Sequence, residues 1–404
     1  MLETARDAGD KSHRIKVIVA GYYATGDGYP NGAVTQRILS GEACVVDAGL
    51  AMPADQHLWR AAKGNLAKRL LMALRLFGHN FASFCRVLSK CDRDRDLIYV
   101  RYPALPFMLL IAMVPARLRP RCYVDGFISL WETMFLDRTA GGGTLFGRIV
   151  HGLEGRALRA AHRVLVDTLA NAEFMRTQFA LDSEQAVALP LGVDEERWRN
   201  LSDAPTRTAP FVVVFVGTFV PLHGFGVIAS AVDLFDANDA VRFVFVGDGQ
   251  DARVLERLIE RRPDLDIVWR RGWHAPEELA RMVADADACL GVFGGEGKAA
   301  RVLPYKLYLY LLLGRPVITQ SSLSAPAEEP PPVLGTLPSA ADVAAAIRRL
   351  RDDPSLQARL ASEGRAYYAR HLSNAALANG WRELLARHAS STAKDLKDEP
   401  APIH

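Results

Sequence analysis

Two glycine-rich stretches in the second half of the chain carry the residue types that hold a phosphate. In "FVGTFVPLHGFG" (215–226) an apolar run ends at Gly217 and Thr218, and His223-Gly224 opens the next segment. Small residues let a backbone approach a ligand, and a helix N-terminus offers free N–H groups with about half a positive charge, so an anion fits there. An ordinary strand-to-helix turn reads the same way. In "VFGGEGKAARVLPYK" (292–306) three glycines precede Lys298, Arg301 and Lys306. Cations at one glycine-rich strand exit suit a diphosphate clamp, because a leaving group whose charge grows in the transition state must be neutralised. A solvated basic loop is the plain alternative. A third stretch, "VFVGDGQDA", fits G-x-G-x-x-A through Gly247, Gly249 and Ala252, yet "IVWRRGW" follows where a ribose-binding acid would stand. It reads as a tight turn whose backbone can brush a ligand.

The first half offers fewer such residues. "AGYYATGDGYPNG" (20–32) follows the first apolar run and, with Tyr22, Gly26, Asp27 and Gly28, can approach an acceptor closely. "YVDGFISLWETMFLDR" (123–138) sets Asp125 at a strand exit, where it either enters a ligand site or caps a helix. The aspartates of "DRDRD" (92–96) and "DAD" (285–287) precede their strands and so lie away from the usual ligand edge. No His, Cys and carboxylate set has metal-ligand spacing, and no G-x-S-x-G elbow occurs.

These residues need a frame that brings strand ends together. Short apolar, β-branched runs alternate with longer amphipathic ones, the pattern of parallel sheets covered by helices. "IKVIVAGYY", "ACVVDAG", "LIYVRYP", "RCYVDGF", "RVLVDT" and "AVALPLG" form one series; after a polar stretch at 200–210, "FVVVFVGT", "VRFVFVGDG", "DIVWRRGW", "DACLGVF" and "RPVIT" form another. The expectation is an α/β chain of two doubly wound, Rossmann-like domains facing across a cleft, residues 1–200 and 211–350, with a linker near 205. Within the second, "LPYKLYLYLLLGRPVIT" (303–319) reads as a helix with Pro304 at its first position and Gly314 as a left-handed stop. Helices over 351–388 follow, the last able to cross back to the first domain, and 389–404 reads as a disordered tail with few apolar residues.

Composition narrows the classes. At 404 residues the chain exceeds one usual domain, and a net charge of +3 gives no nucleic-acid footprint. Five scattered cysteines without a C-x-x-C fit reduced thiols, and the polar start "MLETARDAGDKSHR" has no signal-like apolar core, so a cytoplasmic setting is expected. "PALPFMLLIAMVPARL" (103–118) falls short of a span of about 20 residues and reads as a buried helix.

Taken together, "VFVGTFVPLHGFGVIASAV", "FVFVGDGQ", "WRRGWHAPEELARMVADADACLGVFG", "GKAARVLPYKLY" and "GRPVIT" resemble the retaining GT-B glycosyltransferases of the family-4 type, also called glycosyltransferase group 1. The likeness is strongest over 211–320. It implies transfer of a sugar from a nucleotide-sugar to an acceptor hydroxyl with retention and no obligatory metal, as in building a bacterial surface polysaccharide or glycolipid. By that resemblance Gly217, Thr218, His223 and Gly224 hold the donor diphosphate, and Lys298 and Lys306 reach the same group. Asp248, Gly249 and the backbone near Trp273 line the base and ribose.

Three departures follow. His223 stands where a lysine is common, so its charge is expected to vary near neutral pH. Asp125 replaces a frequent histidine. The family's E-x7-E pair falls on Arg301 and Leu309, and losing the ribose-gripping glutamate costs about 1.5–3 kcal/mol, or about one to two decades of affinity. Glu296, in the same loop, is the candidate substitute. A nucleotide-sugar epimerase of the same fold and a non-catalytic nucleotide-sugar-binding protein are the competing readings.

One flank is strongly basic. Between Leu58 and Cys122 thirteen Lys or Arg face three acids. In 59–90 they interleave with Trp59, Leu66, Leu70, Leu74, Phe77 and Phe84, as in a helix lying on an anionic membrane at up to about 1 kcal/mol per cation. A core-facing helix with a basic rim has the same pattern. The first reading implies an enzyme peripheral to the inner face of a membrane and a saccharide or lipid-linked acceptor.

Overall fold

The computed structural model describes residues 14–25, 29–53, 66–136, 144–199 and 210–398. The linker near 205 and Gly26, Asp27 and Gly28 lie outside them. Contacts divide the chain into two units. The first holds Met1–Val166, Ala172–Gly192 and Asn374–His404; the second holds Asp167–Asn171 and Val193–Ser373.

In the first unit the strands are β1 (Lys16–Ala20), β3 (Cys44–Asp47), β5 (Leu97–Val100), β6 (Arg121–Asp125), β7 (Arg163–Val166) and β8 (Ala186–Ala188), with a short pair β2 (Tyr22–Tyr23) and β4 (Leu50–Ala51) beside them. The main sheet is parallel in the order β3-β1-β5-β6-β7-β8. Helix α1 (Leu66–Lys90), α2 (Leu105–Met113) and α3 (Leu145–Arg159) pack beside one another. Helix α2 is the middle of the apolar run at 103–118; its Phe107 and Ile111 are fully buried, and no described helix is long and apolar enough to cross a membrane.

The second unit has β9 (Phe211–Val216), β10 (Val241–Val246), β11 (Asp266–Arg270), β12 (Ala288–Leu290), β13 (Val317–Gln320) and β14 (Leu334–Thr336). They pair in parallel as β11-β10-β9-β12-β13-β14. Counted within the unit this is the order 3-2-1-4-5-6, which reverses between β9 and β12 and places ligands beyond their carboxyl ends. Strand β14 escaped the sequence reading because it is short and follows the proline run at 330–332. Helix α4 (Phe225–Val232) follows β9, and α5 (Tyr305–Leu312) precedes β13.

Pro304 is the cap of α5 rather than its first residue. Gly314, at φ +61°, stops it: the Gly314 N–H donates to the Leu311 carbonyl at 3.0 Å, and that of Arg315 to Tyr310 at 2.8 Å. That reciprocal pair, with glycine in the left-handed region, satisfies carbonyls the helix leaves open.

The last helix, α6 (Asn374–Asp398), belongs to the first unit, where Trp381 is fully buried with its ring 5.3 Å from that of Tyr99. It continues ten residues beyond 388, where a disordered tail was expected. The reason is polar, not apolar: Arg121 Nη1 donates to Ser391 Oγ at 2.6 Å and Thr392 Oγ1 at 2.7 Å, fastening the added turns to β6.

Candidate active site

The reversal of strand order in the second unit puts two exit loops side by side. Strand β9 runs into Gly217 and Thr218, a short turn covers Pro221–His223, and Gly224 then starts α4 with φ +62°. A Cβ at Gly224 would lie 2.2 Å from the Phe293 carbonyl oxygen, so only glycine lets the β12 exit loop come this close. The Phe293 N–H donates to the His223 carbonyl at 3.1 Å, tying the two loops. The second loop is clamped from β13: Gly295 N–H donates to Gln320 Oε1 at 2.8 Å, and Gln320 Nε2 donates to Gly295 O at 2.9 Å. Sequence reasoning passed over Gln320, which has no motif of its own.

Lys306 lies in the first turn of α5 and points back beneath this junction. A Cβ at Gly217 would stand 3.1 Å from both Lys306 Nζ and His223 Cε1, so the three residues meet. The Lys306 side chain is buried, its ammonium lies 3.9 Å from the Phe215 ring centre, and Nζ has no hydrogen-bond partner. Burial holds its pKa well below the usual lysine value. His223 is also buried; its Nδ1–H donates to the Thr218 carbonyl. Burial and then Lys306 push its pKa well down. The expected titration near neutrality is therefore corrected: in the free protein His223 is a neutral imidazole, because a second cation beside Lys306 in a buried site is disfavoured.

The other expected donor residues separate. Arg301 turns to Asn171, its Nη1 3.3 Å from Oδ1, and its carbonyl accepts from Thr168 Oγ1. Lys298 acts on Asp167, a buried carboxyl lifted to about 6 by burial against the pull of Asn171, the Leu303 N–H and Lys298. Asp167, Thr168 and Asn171 thus hold the segment 298–303 that leads into α5. They stand at the exit of β7, and the strand-exit rule that flagged Asp125 would have flagged them too. Asp248 pairs with Arg271 Nε at 2.8 Å, which holds its carboxyl below the ordinary range. Gly249 bridges Phe219 as a parallel β-bridge, so this turn packs on its own chain. Trp273 is 70% exposed, Glu296 is exposed, and Leu309 is buried in α5.

In the first unit Asp125 ends β6 and is buried. Burial pushes its carboxyl up to about 6, against the hydroxyl of Tyr29, which donates to Oδ1 at 2.7 Å. Its other oxygen, Oδ2, is buried with no hydrogen-bond partner. The tyrosine that meets Asp125 is Tyr29 and not Tyr22. Tyr22 is buried against α1, with its ring 4.4 Å from that of His79.

The basic flank is mixed: Val87 of α1 is fully buried and Phe84 packs on the core, its ring 6.2 Å from that of Phe107. The side of α1 facing the sheet carries Asn80 and Ser83, whose oxygens accept from the N–H groups of Tyr22 and Gly21 at 3.1 and 3.0 Å. Leu70, Leu74 and Phe77 are instead about 60% exposed. Trp59 and the other residues before 66 lie outside the described ones.

Residues 210–353 match the family model described as glycosyl transferases group 1. No curated protein matches the chain in sequence. Among solved structures it is similar to HepE of Anabaena, in a complex with UDP and glucose, at 16% identity over 92% of this chain and 100% of that one, TM-score 0.59. Sucrose-phosphate synthase of Thermosynechococcus elongatus gives 16%, 94% and 100%, TM-score 0.66. WaaG, a glycosyltransferase involved in lipopolysaccharide biosynthesis, gives 14%, 92% and 99%, TM-score 0.59. The chain has the GT-B fold of two Rossmann-like domains, and the match to the group 1 model falls within its second unit.

Proposed function

We propose that the chain is a retaining, family-4-type glycosyltransferase, moving a hexosyl group from a nucleotide-sugar to an acceptor hydroxyl without an obligatory metal. The observation that supports this best is Lys306 Nζ: a buried ammonium without a partner, set between Gly217 and His223 where the strand order reverses. An unpaired buried cation is unfavourable by itself and becomes favourable once an anion arrives. The diphosphate of the donor would be that anion, met also by the N-terminus of α4. As the sugar–phosphate bond breaks, charge grows on the leaving diphosphate, and Lys306 stabilises it more in the transition state than in the ground state. Lys298, which acts on Asp167, supports this site indirectly by helping to hold the segment that leads into α5. HepE was solved with UDP and glucose, so uridine diphosphate sugars are the first donors to try.

The acceptor belongs to the first unit, with Asp125 Oδ2 receiving the proton-bearing hydroxyl. The exposed apolar and basic face of α1 would hold the enzyme at the inner surface of an anionic membrane, in the synthesis of a surface polysaccharide or glycolipid. Incubating the chain with nucleotide-sugars and membrane extract, and following nucleoside diphosphate release and sugar incorporation, tests the reading. One observation favours a non-catalytic nucleotide-sugar binder instead: Leu309 buries an apolar side chain where a ribose-gripping carboxylate is expected. Binding without turnover would select that alternative. A modified sugar nucleotide formed with no acceptor present would select an epimerase.

A further inference from the structure

A cavity of about 320 Å³ lies inside the first unit, between α1, α2, α3 and the loop that follows β6. That size is at the lower end of ligand pockets, about 300–1,000 Å³. Four of the chain's eight methionines, Met72, Met108, Met134 and Met175, line it. Unbranched, polarisable thioethers adapt to a flexible hydrocarbon better than a rigid wall does. Two carboxylates reach the lining. Glu154 is fully occupied, its oxygens accepting from the N–H groups of Leu130 at 2.9 Å and Trp131 at 2.7 Å. Asp125 is less completely held: Oδ1 accepts from Tyr29, the backbone N–H groups of Phe127 and Tyr102 also act on the carboxyl, and Oδ2 is buried without a hydrogen bond of good geometry.

We propose that this cavity takes a single hydrocarbon chain of a lipid acceptor, with the hydroxyl-bearing end of that lipid donating to Asp125 Oδ2. The proposal rests on the reading of the first unit as the acceptor side. A saccharide inserted here would lose water from many hydroxyls and find one acceptor, whereas an alkyl alcohol needs only that one. The helices that wall the cavity fit a bilayer source for the chain. Outside, Leu70, Leu74 and Phe77 on α1 and Leu145 and Ile149 on α3 are at least half exposed. Neither helix presents an acid outward: α1 has none, and Glu154, the only one of α3, is buried. Arg75, Arg86, Arg148 and Arg156 are exposed on the same two helices, which complements anionic headgroups.

The test uses the full chain and n-decanol as the probe, by titration calorimetry. Saturable 1:1 binding is expected, with decyl methyl ether, which lacks the donor, at least tenfold weaker. Ala73→Trp, at an exposed residue of the cavity lining, should weaken n-decanol at least tenfold at an unchanged unfolding midpoint, and Met134→Trp, which fills the interior, should do the same. Absence of n-decanol binding by a chain that still binds a nucleoside diphosphate overturns the inference and leaves the proposed function standing. Binding indifferent to both substitutions places the alcohol elsewhere and also overturns it. Binding of n-decanol by a chain that takes no nucleoside diphosphate supports the cavity and removes the glycosyltransferase reading.

Discussion

Replacing Lys306 by methionine should move two quantities in opposite directions. In the free protein the ammonium is buried without a hydrogen-bond partner among the described residues, and the Phe215 ring 3.9 Å away offsets part of its desolvation. Its pKa is held well below 10.5. Between that depressed value and 10.5 the unfolded chain binds the extra proton, so wild-type stability rises with pH there, and the penalty is complete below the folded-state value. Methionine removes the penalty, so the free variant should unfold at higher temperature than wild type at neutral pH, the gap closing as pH rises toward 10.5. With a nucleoside diphosphate the order reverses. A charge-assisted hydrogen bond to phosphate is worth about 1.5–3 kcal/mol, so the variant should bind about one to two decades more weakly. Binding to wild type should also take up protons, because a phosphate beside the Lys306 ammonium raises the pKa of His223 back toward its ordinary value. Calorimetry in two buffers of different ionisation enthalpy reads this uptake directly. A variant that binds as tightly as wild type, or wild-type binding without proton uptake, would refute the reasoning.

Asp125→Asn should lower sugar transfer yet stabilise the free chain. A carboxyl raised from 3.8 to about 6 loses stability as pH rises through that window. The gain is therefore about 3 kcal/mol above pH 6 and about half of that at pH 5, measured by urea unfolding; an equal gain at both pH values contradicts it. Glu296→Ala should weaken donor binding about tenfold if Glu296 replaces the carboxylate missing at Leu309, and an unchanged dissociation constant removes it from the site. In flotation, the chain should rise with vesicles containing anionic lipid at low salt, be released at high salt, and stay down with neutral vesicles. Phe77→Ser should weaken that attachment, and no flotation at low salt ends the membrane reading.

The strands and the phosphate loops were legible because each is a local pattern: β-branched runs set the sheets, and Gly217, His223 and Lys306 sit at fixed offsets from strand ends. What stayed hidden depends on contacts between distant segments. Gln320 is an unremarked residue after "PVIT" until the fold lays it across Gly295. Asp167 looks like any strand-exit aspartate until Leu303 arrives beside it. Tyr22 and Tyr29 occupy the same quoted stretch, and only the packing of α1 decides that the first is buried on His79 while the second meets Asp125. The charge of His223 could not be read at all, since it depends on burial next to a lysine 83 positions away. The last helix outran its apolar pattern because Arg121 supplied polar anchors that periodicity does not register.

The most direct test of the account is a thermal-shift series of the full chain against the common nucleoside diphosphates. A ligand that binds only the folded state at 100 times its dissociation constant stabilises by about 2.7 kcal/mol, so at least one diphosphate should raise the midpoint by several degrees and the matching nucleoside by much less. No shift with any of them, or equal shifts with nucleoside and diphosphate, would contradict a diphosphate site at Gly217, His223 and Lys306.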